Sequence, residues 1–237
     1  MKMMSSYLTA TKPTPLLNTP NFKNVFGSTT LSLDEKGLLR AVEMVALPGT
    51  KFKMIRQIDA HILEVTTKDY MEKTVYLDNR FVKEVDPQFP EREKNIPPFK
   101  EILAKLNLSI GLPYIWGGNW GKGIPEISSL YQPFIPPSFL AHWTLAGVDC
   151  SGLLYEATGG STPRNTSELL HFGQEIFSME EIKPLDLLVW PGHVLIVLNS
   201  NCSIESRYGE GVIIKNLKDR INSISSIKYK IRRFLIK

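Results

Sequence analysis

Short apolar runs separated by turn residues occupy much of the first eighty positions of the chain. Apolar residues cluster at positions 38–47, 52–55, 62–65 and 75–77, with Pro48-Gly49 and Asp78-Asn79 among the turn signals between them. Runs of this length between turn signals are typical of β-strands. The pattern predicts a small all-β unit of about five strands, folded as a barrel.

A proline-rich stretch and then a helix follow this unit. Residues 86–98 contain four prolines and alternating charges, a composition typical of a linker. The next segment, residues 99–108, places Ile102, Leu103 and Leu106 at helical spacing. We therefore expect one domain over residues 1–90, a linker at 91–98 and a second domain over 99–237.

Cys150 opens a short apolar run that is typical of a buried helix. Asp149 precedes it, apolar residues follow at 153, 154 and 157, and Gly159-Gly160 ends the run. The thiol would then lie at a helix N-terminus, where unpaired N–H groups and the helix dipole favour a thiolate and can bind an oxyanion. We expect the pKa of Cys150 to lie below its free value of about 8.5.

His193 begins a strand-like run about forty positions after the cysteine. Residues 193–198 and 202–206 predict an antiparallel hairpin around 199–201. If the residue numbers of paired positions in this hairpin add up to an even number, Glu205 lies on the same face as His193. Its carboxylate can then accept a hydrogen bond from Nδ1–H. A thiol with an imidazole base indicates covalent acyl transfer. Taken alone, each residue also fits a structural role, and Glu205 also fits an exposed strand carboxylate.

Four sequence blocks resemble the NlpC/p60 family of papain-like cysteine peptidases, and the resemblance covers about residues 99–237. The resemblance implies an α+β fold in which the helix bearing the cysteine packs on an antiparallel sheet. It also implies Cys150 as nucleophile, His193 as base and Glu205 as the residue that orients the imidazole, although the family most often has a second histidine there. The blocks are Pro113-Tyr114-Ile115-Trp116-Gly117-Gly118, Val148-Asp149-Cys150-Ser151-Gly152-Leu153, Thr162-Pro163-Arg164-Asn165, and residues 182–190 continuing into Gly192-His193-Val194.

The same resemblance implies a substrate. It indicates hydrolysis of the γ-D-glutamyl bond to a diamino acid, such as diaminopimelate, in peptidoglycan peptides, with no cofactor or metal. In relatives that require a free N-terminal L-alanine, the positions of Tyr114, Asp149 and Ser151 hold the substrate amine. Thr166 lies where some relatives place a substrate-contacting serine, but Asn165 and Glu168 also predict a helix cap there. The alternatives are an inactive wall-peptide binding protein and an amidase or acyltransferase of the same superfamily.

Two further segments bear on domain organisation. Residues 46–52 and 75–82 resemble bacterial SH3-like modules, which commonly precede this type of peptidase domain. Residues 119–147, rich in aromatic residues and proline, have no counterpart in the family and are either a lid or a self-packed surface excursion. This segment contains His142, the other candidate base.

The composition of the chain limits its possible size of core, binding partners and cellular location. With 237 residues and 43% hydrophobic content, the chain can bury one large or two small cores. Basic residues exceed acidic ones by 28 − 24 = 4 and are scattered outside 228–233, so no nucleic-acid partner is expected. Cys150 and Cys202 form no disulfide framework, residues 1–20 lack an apolar signal segment, and no long apolar stretch predicts a membrane span. We expect a cytoplasmic enzyme acting on recycled or precursor wall peptides, although another export route and the oligomeric state stay open.

Overall fold

The chain divides into two compact units. The computed structural model describes residues 6–235, without the side chains of residues 71–73 and 138. The first unit combines Met1–Glu93 with Ile115–Ala146, and the second combines Lys94–Tyr114 with Gly147–Lys237. The predicted domains, 1–90 and 99–237, differ from these units because residues 115–146 cluster with the N-terminal part of the chain.

Strands and short helices alternate along the described residues. The strands are β1 (Tyr7–Ala10), β2 (Thr14–Leu17), β3 (Val42–Ala46), β4 (Lys51–Gln57), β5 (Ile62–Thr67), β6 (Tyr70–Asp78), β7 (Val82–Glu84), β8 (Asn119–Trp120), β9 (Gly147–Val148), β10 (Gln174–Ile176), β11 (Leu187–Trp190), β12 (His193–Val197), β13 (Cys202–Arg207), β14 (Gly211–Asn216) and β15 (Lys230–Arg233). The α-helices are α1 (Phe22–Phe26), α2 (Phe99–Leu108), α3 (Glu126–Tyr131), α4 (Leu140–Trp143), α5 (Cys150–Ala157), α6 (Thr166–Leu169) and α7 (Leu217–Ser223). Over residues 6–235, no helix has the length and apolar character needed to cross a membrane.

The first unit is built on a seven-stranded antiparallel sheet. Its strand order is β3-β2-β6-β5-β4-β1-β7. The four apolar runs of the sequence are confirmed as β3, β4, β5 and β6. The short strands β1, β2 and β7 were not predicted from the sequence. In β2 all four residues are buried, yet Pro15 lies inside the strand and Pro13 just before it, so the pattern resembles a turn.

The predicted closed barrel is not found. Within residues 6–235, no pairing joins the end strands β3 and β7. The free edge of β3 is satisfied by a side chain instead: Val45 N–H donates to Asn119 Oδ1 at 2.9 Å, and Asn119 Nδ2 donates to Val45 O at 2.8 Å. The carboxamide therefore replaces a neighbouring strand at this position, and the sheet stays open.

The aromatic segment at residues 119–147 contributes to the core of the first unit. Ile124, Ile127 and Leu145 are buried in one cluster with residues of α1 and β3. Tyr131 packs its ring against Phe22, with the ring centroids 6.2 Å apart. Of the two sequence interpretations, these contacts favour a self-packed segment, because its apolar side chains complete a core.

The second unit carries the cysteine-bearing helix on a six-stranded antiparallel sheet. The strand order is β10-β15-β11-β12-β13-β14. Helix α5 packs on β12 and β13 and against α2. Leu153 and Leu154 of α5 share one apolar cluster with Ile196 and Ile204 of the sheet. The predicted arrangement of a helix on an antiparallel sheet is confirmed.

Candidate functional site

Cys150 is the first residue of α5, and its thiol is nearly enclosed. Asp149 caps the helix: its backbone is extended and its Oδ1 accepts a hydrogen bond from Gly152 N–H at 2.7 Å. Cys150 is 6% exposed, and its Sγ donates to the carbonyl oxygen of Gly192 at 3.8 Å. The sequence prediction that places the thiol at a helix N-terminus is therefore confirmed.

A two-residue turn brings the head of β12 to the thiol. Trp190 and His193 are cross-strand partners in β11 and β12, with Pro191 and Gly192 between them. Gly192 has φ +86°, which glycine adopts without strain, so Pro191-Gly192 suits a type II turn. This turn presents the Gly192 carbonyl to Cys150 and holds the Trp190 ring 4.9 Å from the imidazole of His193.

His193 and Glu205 form a hydrogen-bonded pair on adjacent strands. His193 Nε2–H donates to Glu205 Oε2 at 2.7 Å. The register of β12 and β13 pairs Ile196 with Ile204 and Val197 with Ser203, so the residue numbers of each pair add up to an even number. The two side chains therefore lie on the same face of the sheet, as predicted. The bond uses Nε2, whereas a bond from Nδ1 was predicted from the sequence. Among the described residues no hydrogen bond reaches Nδ1 or joins the imidazole to Sγ.

Arg220 of α7 hydrogen-bonds to the carboxylate of Glu205. Its Nε donates to Glu205 Oε1 at 2.6 Å and its Nη2 donates to Oε2 at 2.9 Å. Burial by itself raises the pKa of Glu205, but hydrogen bonds from His193 and Arg220 outweigh it and lower the pKa to about 2. Arg220 was not predicted from the sequence, because no local motif indicates that α7 packs on β13 and β14.

A buried ion pair lies beside the cysteine. Arg164 Nη2 donates to Asp149 Oδ2 at 2.6 Å and Nη1 donates to Oδ1 at 3.0 Å. Nη1 also donates to Ser151 Oγ at 3.0 Å. Both charges are buried, so each depends on the other for compensation. Arg164 belongs to one of the four sequence blocks that resemble the family, but no role was predicted for it.

The enclosed thiol has a raised pKa. Burial and, next in size, the neighbouring Asp149 carboxylate raise the pKa of Cys150 to about 12, although Arg164 and backbone N–H groups oppose the rise. The expectation of a lowered pKa from the helix N-terminus is wrong for this state of the site. Desolvation of the charged form outweighs the helix dipole because the sulfur has almost no contact with water.

The remaining predicted substrate residues, Tyr114 and Thr166, belong to the second unit. Tyr114 is half-buried and meets Tyr208 edge-on, with ring centroids 6.1 Å apart. Thr166 begins α6, where Asn165 makes no side-chain cap, and Thr166 Oγ1 instead accepts from Gly192 N–H at 3.3 Å. His142 lies in α4 of the first unit, where burial lowers the pKa of its imidazole.

The arrangement has the parts that cysteine acyl transfer requires. Cys150, His193 and Glu205 lie on three adjacent elements, and the helix N-terminus supplies N–H donors. Across residues 6–235, no group of three or more His, Cys, Asp or Glu side chains could hold a metal ion.

Several solved structures are similar to this chain. An NlpC/P60 family protein from Bacillus cereus is 19% identical, with a TM-score of 0.43 over 97% of this chain and 63% of that protein's length. NlpC1 from Trichomonas vaginalis is 13% identical, with a TM-score of 0.40 over 98% of this chain and 69% of that one. RipD from Mycobacterium tuberculosis, described as a non-catalytic NlpC/p60 domain protein adapted to peptidoglycan binding, is 18% identical, with a TM-score of 0.42 over 58% of this chain and 97% of that one.

The sequence also matches a family model. No curated protein matches the chain. The NlpC/P60 family model matches residues 111–229, half of the chain, and these residues include Cys150, His193 and Glu205. Proteins of this family are generally peptidoglycan peptidases, and some members are non-catalytic binding proteins. The chain therefore belongs to the NlpC/P60 family.

Proposed function

We propose that this protein is a cysteine peptidase that hydrolyses the γ-D-glutamyl bond to a diamino acid in peptidoglycan-derived peptides. The observation that carries the proposal is the His193–Glu205 hydrogen bond of 2.7 Å on the two strands against which the Cys150 helix packs. The family supports the peptidoglycan substrate class. The particular bond rests on the resemblance of the motifs around Tyr114, Cys150 and His193.

The proposed reaction proceeds through a thioester. His193 Nδ1 accepts the Sγ proton, and Sγ attacks the γ-glutamyl carbonyl carbon while N–H groups at the start of α5 bind the oxyanion. The imidazolium then donates its proton to the amine of the diamino acid, and the C–N bond breaks. Water, deprotonated by the same imidazole, hydrolyses the thioester and regenerates the thiol. Glu205 orients the imidazole and stabilises its charged form.

The raised pKa of Cys150 determines how this mechanism begins. With a thiol pKa of about 12, the free enzyme holds a neutral thiol bound to the Gly192 carbonyl. The proton transfer to His193 would therefore accompany substrate binding, when Sγ rotates from Gly192 towards Nδ1. A thiolate formed only in the presence of substrate also protects the sulfur from oxidation between turnovers.

The proposed amine site consists of Tyr114, Asp149 and Ser151, and Thr166 is proposed as a further substrate contact. Asp149 is already paired with Arg164, so its carboxylate gives an ammonium group less attraction than an unpaired one would. The Tyr114 and Ser151 hydroxyls then contribute acceptors beside it. We also propose, on the resemblance of residues 46–52 and 75–82 alone, that the first unit is related to bacterial SH3-like modules.

The direct test is product analysis with L-Ala-γ-D-Glu-diaminopimelate as substrate. The parent should release free diaminopimelate, and Cys150→Ala should release none. Cys202→Ala is the matched control, because it removes the other free thiol and should keep full turnover. Mass spectrometry of the products identifies the bond. Release of the amino-terminal alanine would instead indicate a peptidase of another bond, and transfer of the acyl group to an added amine would indicate acyltransferase chemistry.

One observation favours the second candidate, a non-catalytic protein that binds wall peptides. The thiol donates to a backbone carbonyl and has no hydrogen bond to the imidazole among the described residues. A binder would show no turnover in the parent, and calorimetry would give the same peptide affinity for the parent and Cys150→Ala. Turnover that Cys150→Ala abolishes and Cys202→Ala retains would reject this candidate.

A further inference from the structure

The first unit contains a cavity of about 360 Å³ formed by residues other than Cys150, His193 and Glu205. It is bordered by α1, by the turn between β4 and β5, and by the end of α3. Pockets that bind small molecules usually have volumes of roughly 300–1,000 Å³. The cavity is therefore large enough for a molecule the size of a short peptide.

One wall of this cavity is apolar and rigid. The rings of Phe22 and Tyr131 are stacked with an interplanar angle of 29°, and Ile62 and Leu130 line the cavity beside them. Phe22 and Ile62 are buried in the core of the unit, which fixes their positions, and the partly exposed Leu130 and Tyr131 provide the accessible part of the wall. Such a surface can bind a methyl or methylene group without ordering new side chains.

A cation is fixed at the polar end of the cavity. Arg80 donates from Nε to Asp78 Oδ1 at 2.9 Å and from Nη2 to Asp78 Oδ2 at 2.5 Å, and Asp78 is fully buried. Tyr131 Oη donates to the same carboxylate at 2.5 Å. These bonds immobilise the guanidinium, while its Nη1 makes no hydrogen bond within residues 6–235. Two N–H groups therefore remain to bind an anionic oxygen.

The rest of the lining offers a second cation and one acceptor. Lys23 is exposed on α1, with no ion pair in the described part of the chain. Asp59 Oδ1 accepts from His61 N–H at 2.7 Å and Ile62 N–H at 2.8 Å, and Oδ2 accepts no hydrogen bond within the described residues. A ligand that matches this lining has a carboxylate for Arg80 and Lys23 and an N–H group for Asp59.

We propose that this cavity is a binding site for a short peptide with a free carboxylate. The peptide carboxylate would lie between Arg80 Nη1 and Lys23, its aliphatic part against Leu130 and the ring of Tyr131, and an N–H group near Asp59. The assignment does not depend on the proposed catalytic function, because none of these residues belongs to the candidate catalytic site.

The test is an NMR titration of the isotope-labelled full chain in a Cys150→Ala background, which prevents turnover. The probe is L-Ala-γ-D-Glu-diaminopimelate, compared with the same peptide carrying amidated carboxyl groups. The acidic peptide should shift the backbone amides of Lys23, His61 and Arg80 in a saturable way. The amidated peptide should not shift them, because it lacks the anion that Arg80 and Lys23 would bind.

Charge reversal at Lys23 provides the matched variants. Lys23→Glu should weaken the binding reported by the His61 and Arg80 amides at least about fivefold, whereas Lys36→Glu, an exposed lysine outside the cavity, should leave it unchanged. Unchanged dispersion of the other amide signals verifies that both variants fold. Shifts confined to residues near Cys150, or equal binding of the amidated peptide, would overturn the proposal. Either result would leave the proposed peptidase activity untouched.

Discussion

At the residue scale, Glu205 determines the charge of the candidate site. Its carboxylate is fully buried and accepts hydrogen bonds from His193 and Arg220, which hold its pKa at about 2 against an ordinary value of 4.5. A carboxyl with a lowered folded-state pKa stabilises the fold above its unfolded value and loses this contribution as the pH falls towards the folded value. The relevant window for Glu205 is therefore from about pH 4.5 to pH 2.

We predict that Glu205→Gln flattens the acid side of the stability profile. In the parent, titration of Glu205 should remove about 3 kcal/mol of unfolding free energy across this window, because one pKa unit corresponds to about 1.4 kcal/mol. The glutamine variant lacks that step. Urea unfolding at several pH values measures it, with Glu210→Gln as the control for an exposed carboxylate in a surface ion pair. Parallel profiles for parent and Glu205→Gln would contradict the prediction.

We infer that Arg220 is a positioning residue, since it hydrogen-bonds to Glu205 and lies over the Trp190 ring, which also contacts the imidazole of His193. We predict that Arg220→Gln lowers kcat about tenfold with little change in KM, because hydrogen bonds to charged groups contribute about 1.5–3 kcal/mol and Arg220 is not placed in the proposed substrate site. The pKa of Glu205 should rise without Arg220, so activity should be lost at a higher pH on the acid side. Steady-state kinetics across pH measures both effects.

The controls for Arg220 separate positioning from folding. Arg207→Gln removes an arginine of β13 whose ion pair with Glu210 is at the surface, and it should leave kcat unchanged. Arg220→Lys should recover part of the lost activity. A fall in thermal stability with unchanged kcat in Arg220→Gln would mean that the residue is only structural.

Whether a site residue could be predicted depended on how far along the chain its contacts lie. Cys150 and His193 were identified because local motifs surround them, and Glu205 because a hairpin fixes its face relative to His193. Their catalytic roles stay predictions. Arg220 could not be identified, because it reaches Glu205 only through the packing of α7. The raised thiol pKa also escaped prediction, since burial of Cys150 depends on the whole site rather than on its helix.

At the element scale, the edge of β3 depends on one carboxamide. Asn119 is fully buried and satisfies both the N–H and the carbonyl oxygen of Val45. We predict that Asn119→Ala lowers the unfolding free energy by roughly 2–4 kcal/mol, because two buried backbone groups lose their partners. Urea unfolding measures the loss, and Asn24→Ala, on the exposed face of α1, is the control. The opened strand edge should also promote concentration-dependent association, visible by size-exclusion chromatography.

Only some strands of the sheet in the first unit could be predicted from the pattern of apolar residues. Strands β3 to β6 contain recognisable apolar runs, whereas β1 and β2 are four-residue strands near prolines and gain their partners from distant segments. Barrel closure could not be judged from strand count. The structure leaves the edge open because Asn119, more than seventy residues along the chain from Val45, already binds it.

At the scale of the whole molecule, the second unit is interrupted along the chain by a segment that belongs to the first unit. Residues 115–146 lie between the two parts of the second unit but cluster with the first. The ends of this excursion are close together, because Val148 N–H donates to Pro113 O at 3.2 Å. The second unit therefore has a continuous path through positions 113 and 148 that does not require the intervening residues.

This connection predicts which fragment folds alone. A chain of residues 94–114 and 147–237, joined by a short Gly/Ser linker, should give a soluble monomer with dispersed NMR signals. The uninterrupted fragment 94–237 should aggregate or bind a hydrophobic dye, because Ile115, Ile124, Ile127 and Leu145 lose core partners that lie within residues 17–81. A folded, soluble 94–237 fragment would contradict the division into units. If the joined fragment folds and still cleaves the tripeptide, the first unit is dispensable for the chemistry, and its contribution is limited to binding.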